Sequence, residues 1–89
     1  MSLESIPNIA DARKRKKERL FDEIEELFQQ AQGYDEDAMS HESDADEFEQ
    51  EGLPRQAREE RRQARMNRAL AREKRREASA LQRKVRRMR

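Results

Sequence analysis

From Pro54 to Arg89 the chain has no glycine and no further proline, and it is dominated by Ala, Arg, Glu, Gln, Leu and Lys. Locally, that stretch satisfies the requirements for one long helix opening at a proline. Within it, "AREERRQARMNRALAREKRRE" (57–77) is three seven-residue blocks, each beginning Ala-Arg. Seven is the repeat of a coiled coil, whose seam takes bulky apolar side chains. Here the repeat carries Ala57, Ala64, Ala71 and Ala78, and then Val85. The fold therefore depends on what a heptad of alanines is for.

If those alanines are position a, then at 100° per residue positions e, b and f lie about 40°, 100° and 140° around the helix. Twelve of the segment's thirteen arginines fall there: Arg55, Arg58, Arg61, Arg62, Arg65, Arg68, Arg72, Arg75, Arg76, Arg83, Arg86 and Arg89. The four glutamates, Glu59, Glu60, Glu73 and Glu77, occupy c, d and g. A solvated single helix intersperses its signs in i, i+4 pairs, whereas this one sorts them, so a basic arc facing a negative partner is expected. The alanines then read as a low shoulder beside the arc. A conventional a/d seam is expected only at the end, through Ala78, Leu81, Val85 and Met88, shorter than the three or four heptads of a stable coiled coil.

Upstream, "SIPNIADARKRKKERLFDEIEELFQQAQG" predicts a first helix over 9–32, capped by Asn8 after Pro7 and closed by Gly33. Leu20, Phe21, Ile24, Leu27, Phe28 and Ala31 share one face of it. The rest of the chain offers little bulk to cover them, so a protein partner or a second copy is expected on Leu20, Phe21, Ile24, Leu27 and Phe28. The helix begins basic ("RKRKK") and continues acidic ("DEIEE"), against the preference of its own dipole.

Residues 33–53 are acidic and lie around two glycines, a composition that predicts a flexible, disordered linker. Asp35, Asp37 and Asp46 fit positions 1, 3 and 12 of a calcium loop, but Met39 and Ser40 fall where an oxygen ligand and a turn glycine are required. No metal site is expected, and His41 is read as solvated. Ser43 precedes Asp44 and Asp46, a short pattern that acid-directed kinases accept.

The expected fold class is thus all-α and extended: two helices (about 9–32 and 54–89) joined by an acidic flexible linker, with no independent globular core. The organisation is a 1–8 tail, a 9–32 docking helix, a 33–53 linker and a 54–89 arginine-rich helix. Composition points the same way. With 46% charged residues, one tyrosine, three phenylalanines and no cysteine in 89 residues, neither a large core nor a disulfide or thiolate–zinc staple is available. The net charge of +1 conceals three blocks. Residues 22–51 hold thirteen acids and no base, while residues 52–89 hold fifteen bases against four acids. Such asymmetry points to charged partners or to pairing between blocks. No apolar run approaches the roughly 18 residues of a membrane span, and the start lacks the apolar region of a signal peptide. An intracellular location is expected, nuclear in a eukaryote and cytoplasmic in a bacterium or phage.

"NRALAREKR" (67–75) resembles part of the DNA-contacting basic region of bZIP transcription factors, with Asn67, Ala71 and Arg75 in that family's spacing. It departs from the pattern at Leu70, where a small residue is expected, and at Glu77, where a basic one is. The segment is also similar in composition to the arginine-rich helices with which phage antiterminators and some viral regulators grip RNA hairpins. One resemblance implies DNA and the other RNA, and each covers less than a quarter of the chain.

The functional expectation is a non-catalytic nucleic-acid-binding adaptor, RNA favoured over DNA. Its contacts are Arg58, Arg61, Arg62, Arg65, Arg68, Arg72, Arg75, Arg76, Arg83 and Arg86, with the apolar helix docking on a protein and the acidic block competing for the arginines. Thirteen arginines against two lysines suit bidentate phosphate contact. The alternative is a structural or assembly subunit whose basic helix meets an acidic protein surface. No cofactor is expected, and no enzyme, because no phosphate loop, nucleophile set or pocket-forming core is present.

Overall fold

A computed structural model describes residues 9–88 of the chain. The 1–8 tail, the Asn8 cap and Arg89 lie outside the described residues. Helix α1 spans Ile9–Gln50 and helix α2 spans Pro54–Arg87, and the two fold back on each other as an antiparallel hairpin. The expected class holds: all-α and extended, a two-helix rod whose longer helix has 42 residues, about 63 Å at 1.5 Å per residue, with no compact core.

The boundary of the first helix differs from expectation. α1 does not stop at Gly33 but continues through the acidic block to Gln50, so the connection is only Glu51–Gly52–Leu53 and residues 33–50 are helix instead of linker. A glycine inside a helix costs roughly 0.5–1 kcal/mol relative to alanine. Here Ala31, Ala38 and Ala45, all fully buried, carry the helix across that weak point. They continue a heptad row begun by Ile24, and this row packs along the row Ala57, Ala64, Ala71 and Ala78 of α2, all at most 3% exposed. The seam is thus alanine on alanine. Small side chains bring helix axes to the close end of their usual range, about 8 Å, and this is what the alanine heptad does. It builds a seam with the chain's own first helix, where the sequence reading made it a shoulder beside the arginine arc.

One flank of the seam is mixed. Leu20, Leu27, Tyr34, His41 and Phe48 of α1 run along Leu81, Lys74, Asn67 and Glu60 of α2 and Leu53 of the turn, and all are buried or half-buried. His41 Nδ1 lies 2.5 Å from Glu60 Oε2, so His41 is paired where the sequence reading left it solvated. The other flank is the charged ladder described below.

The turn that closes the hairpin is a Schellman motif. Gly52 N–H donates to Glu49 O at 3.0 Å, and Leu53 N–H to Phe48 O at 2.8 Å. Gly52 adopts φ +75°, the left-handed region where only glycine escapes a Cβ penalty. Leu53 and Phe48, both half-buried, stand where this motif places its apolar contact. Pro54 then opens α2 at a position that needs no N–H, and Ala57 N–H to Leu53 O at 3.1 Å is the first helical bond.

Candidate nucleic-acid interface

The hairpin divides the arginines of α2 into two sets. Those at position e face a row of α1 acids one heptad apart: Asp35, Glu42 and Glu49. Arg61 donates to Glu49 Oε1 at 2.6 Å and reaches Asp46 Oδ1 at 3.4 Å. Arg68 makes a two-pronged contact with Glu42 at 3.2 and 3.3 Å, and a third bond at 3.2 Å to Asp35 Oδ1. Arg75 closes the ladder on the other oxygen of Asp35. The side-chain hydrogen bond from Arg75, followed by Arg68, holds the Asp35 carboxyl below its ordinary pKa, and Arg61 does the same for Glu49. Reciprocally, Glu49 raises Arg61, and Glu42 raises Arg68. Exposed pairs contribute little each; as a ladder, they align the two helices and consume three of the expected phosphate-binding arginines, Arg61, Arg68 and Arg75.

The second set occupies b and f, on the outer side of α2. Arg58, Arg65, Arg72 and Arg86 form one row, and Arg55, Arg62, Arg76 and Arg83 flank it; all are exposed. Of these, only Arg62 has an acid in ion-pair reach among the described residues, Glu59 at 3.7 Å. Successive members of a row are about 10 Å apart along the axis, and the stripe from Arg58 to Arg86 is about 40 Å long. A furrow lined by Glu42, Asp46, Arg61, Ala64, Arg65, Arg68 and Arg72 joins the stripe to the ladder.

The expected docking face is split in the same way. Leu20 and Ile24 are each 7% exposed, buried in the seam, and Leu27 is half-buried beside Lys74 and Leu81. These three meet the chain's own second helix, which the sequence reading judged too poor in bulk to cover them. Phe21 and Phe28 remain outside, 56% and 39% exposed. They extend the Asp35–Glu42–Glu49 row toward the open end of the hairpin, phenylalanines replacing acids. Asp35, Asp37 and Asp46 lie within α1 instead of in a loop. No group of three His, Cys, Asp or Glu side chains among the described residues is arranged to hold a metal ion.

Sequence reasoning missed the second alanine row. Its signal was present: Ala31, Ala38 and Ala45 repeat at seven inside the acidic block, in phase with Ile24, and Asp35, Glu42 and Glu49 repeat at seven beside them. No described helix is long and apolar enough to cross a membrane. The chain matches no protein-family model, no curated protein and no solved structure.

Proposed function

We propose that this hairpin is a non-catalytic nucleic-acid-binding adaptor that grips phosphates along the outer stripe of α2. The observation that carries the reading is the sorting of the arginines: α1's acids take the e row, while Arg58, Arg65, Arg72, Arg76, Arg83 and Arg86 keep no acid in reach among the described residues. An uncompensated arginine row repels itself until a polyanion covers it, and guanidinium is the side chain best shaped for phosphate oxygens. The acidic row acts as a fixed internal competitor, directing the ligand to b and f.

Two helices side by side, each about 10 Å across with its side chains, are wider than a major groove of about 12 Å, which admits one helix. Contact is therefore with backbones rather than with base edges, which predicts binding with little sequence preference. Double-stranded RNA, read mainly by shape and by phosphate and 2′-hydroxyl contacts across a wide minor groove, suits such a rod better than duplex DNA. Phe21 and Phe28 are the residues left to meet a protein.

The test is binding of the full chain to RNA duplex, DNA duplex and polyglutamate across a salt series, beside an Arg65→Gln/Arg72→Gln/Arg76→Gln variant. The expected result is tighter binding to RNA, with the slope of log K against log salt reduced by about 2–3 in the variant, near 0.9 per lost phosphate contact. Equal affinity for all three polyanions would instead support an assembly subunit on an acidic protein surface, a reading favoured by the exposed Phe21 and Phe28.

A further inference from the structure

Folding the hairpin brings the chain's two most basic segments together. Residues 9–19 of α1 hold six bases and two acids, and residues 80–88 of α2 hold four bases and no acid, a net charge of +8 at the open end. Arg13, Lys16, Arg87 and Met88 line one groove there, and Arg13, Lys14 and Lys17 line another with Ala10. None of the ten cations has an acid in ion-pair reach among the described residues, in contrast to the laddered half of the rod.

The seam also runs out at this end. Its last well-buried layers are Ile24, Leu20 and Ala78. Beyond them the alanine row of α1 is replaced by Lys17, and Arg13 takes the next flanking position, against Met88. Two basic strips are thus held side by side over half-buried Leu81, Val85 and Met88, with no fully buried layer between them and with like charges repelling across the gap.

We infer that the open end is a two-sided phosphate clamp, in which the start of α1 and the end of α2 grip a nucleic-acid backbone between them, and which the bound phosphates draw shut. The inference rests on the nucleic-acid reading above and assigns its primary site to this end, with the α2 stripe as its extension. Binding and closure are linked: a polyanion bridging both strips lowers the repulsion that separates them, so the free end is loose and the bound end zipped. Ten cations on two short strips match a ligand of dense, continuous negative charge, which a nucleic-acid duplex carries at about one charge per 1.7 Å of its axis.

The experiment compares the full-length chain with an end variant, Arg13→Gln/Lys16→Gln/Arg87→Gln, and a stripe variant that removes the same charge, Arg58→Gln/Arg65→Gln/Arg72→Gln. The probes are a short RNA duplex and polyglutamate, with amide hydrogen exchange as a second readout. The end variant should lose affinity for the duplex by about tenfold or more at moderate salt, beyond the stripe variant. Its free form should melt no lower than the parent, since glutamine removes like-charge repulsion. That opposition of signs separates a binding effect from unfolding. In the parent, duplex should slow exchange in both 9–19 and 80–88. If the end variant binds duplex as the parent does while the stripe variant fails, the clamp is refuted and the function proposed above survives. If polyglutamate protects both segments as well as duplex does, the phosphate assignment is overturned. If the parent binds no nucleic acid, both fall.

Discussion

Replacing Ala71 by leucine tests the alanine seam, because two physical effects of opposite sign compete there. Ala71 is fully buried. Leucine adds three carbons, and if the interface had room, burying them would stabilise the hairpin by about 2.4 kcal/mol, at about 0.8 per methylene. An alanine-on-alanine seam has no such room. Accommodating a leucine requires the axes to move from about 8 toward about 10 Å, which strips contact from Ala64 and Ala78 on either side and from Ala31 and Ala38 across the seam. Overpacking of this kind costs about 1–3 kcal/mol. For a domain of this size that corresponds to a drop in Tm of roughly 5–20 °C. The assay is thermal and urea denaturation of the full chain followed by helical circular dichroism. Ala69→Leu, at an exposed position on the same helix, is the control and should shift stability by less than about 0.5 kcal/mol. The reasoning is refuted if Ala71→Leu melts at or above the parent, since the seam would then accept the bulky residues of an ordinary coiled coil.

The two glycines should respond with opposite signs. A Cβ at Gly33 meets nothing within 4 Å, so Gly33→Ala should stabilise the hairpin by about 0.5–1 kcal/mol, whereas Gly52→Ala, at φ +75°, should cost about 1–2 kcal/mol; denaturant midpoints measure both. The pH dependence follows from Asp35 and Glu49, whose carboxyls are held below the ordinary values of 3.8 and 4.5 by Arg75, Arg68 and Arg61. A carboxyl depressed in the folded state binds its proton more readily when unfolded, so its stabilisation is present above the unfolded value and is lost as pH falls through the folded one. Melting temperature should therefore decline as pH falls from about 5 through 3, and the decline should be shallower in an Asp35→Asn variant.

The legible part of the structure was whatever depended on one segment at a time. The helix from Pro54 was readable from composition, the sorting of its arginines from helical geometry, and the absence of a core from the scarcity of bulky residues. What escaped depended on two segments together. Read alone, Gly33 and the acids after it are weak helix formers, and disorder is the right local inference. It is overturned because Ala31, Ala38 and Ala45 fit against Ala64 and Ala71, and because Asp35 and Glu42 each meet an arginine more than twenty residues away in the chain. The same blindness affected the sites. Arg61, Arg68 and Arg75 look no different from Arg58, Arg65 and Arg72 within their own helix, and only the neighbouring helix shows which row is occupied. Leu20 and Ile24 likewise looked unpartnered because alanine was not credited as a partner, although a small side chain buries a neighbour by letting the backbone come close.

The uniformity of the alanine rows has a consequence for alignment. Sliding α2 past α1 by one heptad again sets alanine against alanine along most of the seam and keeps most arginines of the ladder beside an acid. Like a rack against an identical rack, the alanine rows fit at several settings and do not choose among them. The choice is made by the mixed flank, where His41 meets Glu60, and above all by the three-residue turn, whose Gly52 and Leu53 bonds permit one offset only. Lengthening that loop would leave both helices and their pairing chemistry intact, yet allow Arg87 to move by about 10 Å relative to Arg13. Glu51–Gly52–Leu53, at the far tip of the rod, therefore sets whether the two basic strips meet at the other end.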